Sequence, residues 1–264
     1  PPIAFNILTD DITINGDADG NGSPCVVVLA AGTKGTALAG GYSFTTARFV
    51  LEVANGQDVV VRDLTLIPEF VVGVNETRNV ASDGGLSPNC MYIDEAGTPA
   101  NTVGVTTLLE RVTVTGADAN NDPVNPFAPP IGVATYWGSD SSFVSQITYA
   151  SNNAGANQFV HTLTDVVAAH GASASATSGV HGGGIFADGN QSPPNSPAQF
   201  VFNGGTFTRN GNAKGAFGGL VCQGIQASGA NGTEIILNDV TSTFNGKDSA
   251  PIGTTGNGLS ATAT

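Results

Sequence analysis

The sequence predicts an all-β chain wound as a solenoid of about seven or eight stacked turns, with residues 1–264 as one domain. Three observations predict it. Blocks of sequence recur at one constant offset. Strand-like alternation is broken by turn-forming residues. The residues that build long helices are scarce.

The repetition is the most specific of the three. Gly183-Gly184-Ile185-Phe186 returns as Gly218-Gly219-Leu220-Val221, 35 residues on. Phe200-Val201-Phe202-Asn203 returns as Ile235-Ile236-Leu237-Asn238, and Asn210-Gly211 as Asn245-Gly246, both again at 35. One offset held across an intervening loop marks a repeated structural unit.

A looser form of the unit runs through the chain: apolar, two mostly polar residues, usually apolar, then often Thr. It reads at Val61-Arg62-Asp63-Leu64-Thr65, Leu109-Glu110-Arg111-Val112-Thr113 and Val144-Ser145-Gln146-Ile147-Thr148. It reads again at Leu163-Thr164-Asp165-Val166-Val167, Phe202-Asn203-Gly204-Gly205-Thr206 and Leu237-Asn238-Asp239-Val240-Thr241. The successive spacings are 48, 35, 19, 39 and 35. The shortest reads as one bare turn, the longer ones as turns carrying loops. Ile12-Thr13-Ile14 begins the series, 52 residues before Leu64.

Local chemistry agrees. Phe49-Val50-Leu51-Glu52-Val53 alternates as a strand does, and Asn55-Gly56 then turns the chain. Residues 58–66, 91–94 and 106–115 repeat that arrangement, rich in Val, Leu and Thr. The polar inserts 73–89, 116–131, 187–198 and 223–232 are expected to project sideways as long lateral loops. The expected interior is Val61, Leu64, Leu109, Val112, Ile147, Leu163, Val166, Phe202, Leu237 and Val240.

Composition narrows the function. Lys and Arg number 8 against 21 Asp and Glu, a formal charge of -13. Such a chain lacks the basic patch that nucleic acids and anionic membranes require. No run of about 18 apolar residues marks a transmembrane helix. Low Lys with abundant Asn, Thr, Gly and Ala suggests an exported protein, extracellular or at the cell surface. Pro1-Pro2-Ile3-Ala4, without Met or an apolar signal core, reads as a processed chain or as part of a longer solenoid. Cys25, Cys90 and Cys222 leave two options: one pair with a free thiol, or three buried thiols, the latter slightly preferred.

These units resemble the right-handed parallel β-helix of the pectin-lyase-like superfamily, most clearly at Phe49 to Leu66. Phe207-Thr208-Arg209-Asn210, followed by Gly218-Gly219-Leu220-Val221, is also similar to the repeats of bacterial surface adhesins with β-helical passengers. The resemblance implies a single right-handed parallel β-helix. It brings two function classes into view, a structural or adhesive surface protein and a polysaccharide-acting enzyme.

The enzymatic inventory is thin. Lyases of the resembled superfamily use a Lys or Arg base, and here Arg48, Arg62, Arg78 and Arg111 stand apart. Polygalacturonases order N-x-D, D-D, G-H-G and R-x-K. Here Asp10-Asp11 comes first, His181 sits among glycines, and no R-x-K follows. Asp10-Asp11 reads as a solvated turn. His161, His170 and His181 read as structural histidines. Asp94-Glu95 is the best remaining carboxylate pair for glycoside chemistry. Tyr136-Trp137 reads as core or corner aromatics before a sugar platform.

Asp17-Ala18-Asp19-Gly20-Asn21-Gly22-Ser23 matches the first half of a calcium loop, with Asp17, Asp19 and Asn21 as ligands. Val28 stands where the bidentate Glu belongs. The alternative is a polar turn. Asp118-Ala119-Asn120-Asn121-Asp122 has similar spacing, with Pro123 in place of Gly. Sequons begin at Asn21, Asn75, Asn190 and Asn231. The expected function is a non-catalytic structural or adhesive β-helix protein, a fibre subunit or adhesin passenger assembling head-to-tail with itself. The alternative is a β-helical polysaccharide lyase, glycoside hydrolase or glycan-binding module.

Overall fold

A computed structural model describes residues 3–7, 11–29, 49–53, 57–68, 91–95, 105–118, 120–128, 143–150, 160–170, 172–173, 181–188, 198–208, 211–212, 220–223, 233–243 and 259–262. These residues are all β, with no helix among them. In chain order the strands are β1 (Ile3–Ile7), β2 (Ile12–Asn15), β3 (Cys25–Leu29), β4 (Phe49–Val53), β5 (Asp58–Pro68) and β6 (Met91–Glu95). There follow β7 (Thr106–Val114), β8 (Phe143–Ala150), β9 (Val160–Thr164), β10 (Val167–Ala169), β11 (Ala172–Ser173), β12 (His181–Asp188) and β13 (Ala198–Asn203). The last are β14 (Thr206–Thr208), β15 (Gly211–Asn212), β16 (Leu220–Gln223), β17 (Thr233–Asn238), β18 (Thr241–Thr243) and β19 (Leu259–Thr262).

The chain alternates between two parallel sheets. The first runs β1-β4-β6-β8-β12-β16-β19. The second holds β2 and β3 on β5 and β5 on β7, from which one row continues through β9, β13 and β17 and the other through β10, β14 and β18. A short pair, β11 and β15, forms a third sheet. Parallel neighbours need a long crossover. Here each crossover passes through a strand of the other sheet.

The 35-residue offset is a register. Ile185 lies beside Leu220 and Phe186 beside Val221. Phe202 lies beside Leu237 and Asn203 beside Asn238. The looser unit is a left-handed corner in the second sheet. Asp63, Arg111, Asp165, Gly204 and Asp239 stack there with φ of 55, 51, 52, 72 and 55 degrees. Asp and Gly suit that conformation. Amide ladders tie the corner, with Asp165 N–H donating to Asn203 O at 2.9 Å and Gly204 N–H to Asn238 O at 2.7 Å.

Two parts of the repeat reading are corrected. Val144 to Thr148 is no corner: it lies in β8 of the first sheet, with Ile147 between Met91 and Ile185. The spacings 35 and 19 therefore merge into one of 54, from Leu109 to Leu163. Alternation alone is common to every strand, and Gln146 lacks the turn chemistry of Asp or Gly. At the start, Ile12 pairs with Val59 and Cys25 with Leu64. The insert of residues 17–24 between β2 and β3 had displaced the alignment.

One apolar cluster joins both sheets. Phe49, Leu51, Met91, Ile93, Ile147 and Ile185 enter from the first sheet, and Val61, Leu64, Leu109, Val112, Leu163, Val166, Phe200, Phe202 and Phe207 from the second. Of the ten expected interior residues, eight are buried. Leu237 is 38 % exposed and Val240 partly so. They sit on the last strands of the second sheet, where no further strand among the described residues covers them.

Candidate functional site

The Asp17 turn bulges from the corner between β2 and β3. Gly16 N–H still donates to Arg62 O at 2.9 Å, and Cys25 N–H closes the insert onto Gly16 O at 3.0 Å. Within it Asp17 Oδ1 accepts Asn21 N–H and Oδ2 accepts Gly22 N–H, both at 2.9 Å. Asn21 Nδ2 donates to Asp19 Oδ2 at 2.7 Å, and Asn21 Oδ1 accepts Ser23 N–H at 2.7 Å. Asp17, Asp19 and Asn21 thus share one hydrogen-bonded turn. Their oxygens already accept the turn's own donors. No group of three or more His, Cys, Asp or Glu among the described residues is arranged to hold a metal ion.

The second acidic stretch is built the same way. Val124 N–H donates to Gly116 O at 3.0 Å, closing an insert after β7. Asp118 Oδ1 accepts Asn120 N–H at 2.8 Å and Asp122 N–H at 2.9 Å. Those backbone donors, first Asp122 and then Asn120, hold the Asp118 carboxyl below its ordinary range. The two turns match atom for atom at their heads. Gly20 N–H donates to Asp17 O and Asn121 N–H to Asp118 O, and both donors are left-handed, φ 68 and 63 degrees. The D-x-[DN]-x-[DN] spacing is therefore satisfied by a carboxylate capping its own turn.

Charged side chains meet at the corner. Arg111 Nε donates to Asp63 Oδ1 at 2.7 Å and its Nη2 to Oδ2 at 3.0 Å, a two-pronged contact between adjacent strands. Its Nη1 donates to Glu110. The hydrogen bond from Arg111 lowers the Asp63 pKa, and Asp63 with Glu110 raises that of Arg111. The guanidinium explains an Arg in a left-handed place, where Asp or Gly stands elsewhere in the column.

His161 is interior. It lies between Thr107 and Phe200 in register, with Nδ1 2.8 Å from Thr107 Oγ1 and its ring stacked on Phe200 at 4.9 Å. Burial pushes its pKa down to about 3, so the ring is neutral. His170 is buried as well, with Nε2 3.1 Å from Asn125 O, which pins the 116–128 segment. Both match the structural role expected of them. His181 opens β12 beside Phe143.

Asp94 and Glu95 are consecutive in β6, and consecutive strand residues belong to opposite faces. The register sets Asp94 beside Glu52, and Glu95 beside Val53. Sequence reasoning missed Glu52 because 42 residues, strand β5 among them, separate it from Asp94. Only the inter-strand register finds it. Asp11 Oδ1 accepts Asp58 N–H at 2.8 Å, a turn-to-strand cap. Asp10, Tyr136, Trp137, Cys90 and the sequons at Asn75, Asn190 and Asn231 lie outside the described residues. Cys25 is exposed and unpaired on β3, which removes the option of three buried thiols. Its column is interior at Leu64 and Val112, but among the described residues no strand lies beyond β3.

No family model matches the chain, and no curated protein or solved structure is significantly similar to it.

Proposed function

We propose that the two sheets are opposite walls of one right-handed parallel β-helix, and that the chain is a non-catalytic structural or adhesive protein of the extracellular space or cell surface. The observation that carries this reading is the direction of its polar contacts. Asn238 Nδ2 donates to Asn203 Oδ1 at 2.9 Å, Thr243 Oγ1 to Thr208 Oγ1 at 3.2 Å, and Gln199 Nε2 to Glu234 Oε2 at 2.7 Å. Each joins a residue to its neighbour on the next strand. They fasten the stack lengthwise and do not converge on a common point. Low charge and abundant Asn, Thr and Gly support export. Association with copies of itself belongs to the same reading, as does calcium at Asp17, Asp19 and Asn21.

A second reading rests on Glu52 and Asp94. The register sets them on adjacent strands, and glycoside hydrolysis uses a pair of carboxylates. A screen against acidic and neutral polysaccharides tests both. The structural reading expects no turnover. Turnover that disappears in Glu52→Gln or Asp94→Asn would replace it with the hydrolase, and saturable binding without turnover would make the chain a glycan-binding module.

A further inference from the structure

We propose that Asn21 is a self-modification site, where the Gly22 backbone nitrogen displaces the side-chain amide and the resulting ring opens in water to aspartate or isoaspartate. Asn-Gly is the pair suited to such closure, because glycine has no Cβ to block its nitrogen. Three of these pairs lie among the described residues: Asn15-Gly16, Asn21-Gly22 and Asn203-Gly204. The fold treats them differently. Gly16 N–H donates to Arg62 O at 2.9 Å, and a Cβ on Gly16 would overlap Asp63 O. Gly204 N–H donates to Asn238 O at 2.7 Å, and a Cβ there would overlap Asp165 Oδ1. Both nitrogens are tied to an adjacent strand with no room beside them. Asn21 is exposed, and a Cβ on Gly22 would meet nothing within 4 Å.

The turn also supplies the chemistry. Asn21 Oδ1 accepts Ser23 N–H at 2.7 Å, and that bond closes a ring containing both Asn21 Cγ and the Gly22 nitrogen. The same donor supports the negative charge that gathers on Oδ1 when Cγ becomes tetrahedral. Gly22 N–H donates to Asp17 Oδ2 at 2.9 Å, within reach of a general base. Asn15 is folded likewise, its Oδ1 accepting Asp17 N–H at 3.1 Å, but the Gly16 nitrogen faces a neutral carbonyl. The base and the open space are therefore what set Asn21 apart. The bond from the Gly22 nitrogen to Asn21 Cγ forms as the nitrogen's proton passes to Asp17. The Cγ–Nδ2 bond then breaks, and that proton leaves on Nδ2 as ammonia. Water adds to the cyclic imide at Cγ to give aspartate, or at the backbone carbonyl carbon of Asn21 to give isoaspartate. The turn gains a third carboxylate beside Asp17 and Asp19, and the sequon beginning at Asn21 is lost.

The inference needs neither a partner nor a cation, so it stands apart from the structural and calcium readings. The test is incubation of the folded chain in metal-free neutral buffer, followed by peptide mapping with isoaspartate detection at all three asparagines. The expected result is conversion of Asn21 at least about tenfold faster than of Asn15 or Asn203. In urea, where all three are plain Asn-Gly peptides, the difference should vanish. Asp17→Asn should slow conversion of Asn21 by at least about tenfold, with unchanged far-UV circular dichroism. An Asn21 that stays intact in the folded chain overturns the proposal. So does conversion of Asn15 or Asn203 at the same rate as Asn21. Conversion as fast or faster in Asp17→Asn overturns the role given to the Asp17 carboxylate.

Discussion

Leu163 and Leu237 provide a like-for-like test of where the core ends. They share one column, on either side of Phe202. Leu163 is 1 % exposed and Leu237 38 %. Truncating an enclosed leucine removes its transfer energy and leaves a cavity, together about 2–5 kcal/mol. Leu163→Ala falls in that range, because strands lie on both sides of it. Leu237→Ala gives up part of a contact that is already open, and the space left is a dent that water fills. The cavity contribution vanishes, leaving roughly 1 kcal/mol of transfer energy. Urea unfolding followed by far-UV circular dichroism reads both variants against the parent. The comparison is made at one protein concentration, by midpoint, since a repeat array need not unfold in two states. Equal midpoint shifts would refute the reasoning, because Leu237 would then be as enclosed as Leu163.

Acid should destabilise the fold through His161, whose depressed pKa makes the folded state reluctant to take a proton that the unfolded state accepts near pH 6.5. The stability it contributes is present above pH 6.5 and is lost as pH falls toward about 3, amounting to roughly 3 kcal/mol between pH 7 and pH 4. His161→Phe should flatten the unfolding midpoint over that window, and an unchanged slope would remove His161 as the cause. Gly205→Ala should cost roughly 1–3 kcal/mol, since φ is 96 degrees and a Cβ would meet Val166 O at 2.8 Å. Gly20→Ala, left-handed but with open space around it, should cost no more than about 1–2 kcal/mol, and a reversed order in thermal melts would contradict the turn geometry. Calcium at Asp17, Asp19 and Asn21 predicts a melting temperature that falls on chelation and no longer does so in Asp19→Ala. Equal melting with and without chelator would leave the turn closed by its own amides alone.

Much of the fold is legible where local chemistry and register coincide. The offset linking Phe202 to Leu237 appears in the sequence because both corners carry turn residues, Gly204 and Asp239, at the same place. Arg111 shows the limit: a long cation in a left-handed position is understood only through Asp63 on the adjacent strand. Val144 to Thr148 imitates the corner because alternation is generic to strands. The acidic turns are ambiguous for a related reason. Asp and Asn at alternate positions serve a cation or their own backbone equally well, and only the hydrogen bonds of Asp17 and Asp118 distinguish the two. Burial at the ends was not legible either, because Leu237 has the sequence of an interior residue and the surroundings of an edge.

The central claim is that parallel strands stack with a fixed register, and a disulfide tests it most directly. Asn203 and Asn238 are register partners, and parallel neighbours about 4.8 Å apart fall within disulfide range. Asn203→Cys combined with Asn238→Cys, with the three native cysteines changed to Ser, should oxidise quantitatively within one chain, as read by intact mass and peptide mapping. Asn203→Cys with Glu234→Cys, displaced by four residues along the same strand, should not. Failure of the first pair, or equal closure of the second, would contradict the stacked register.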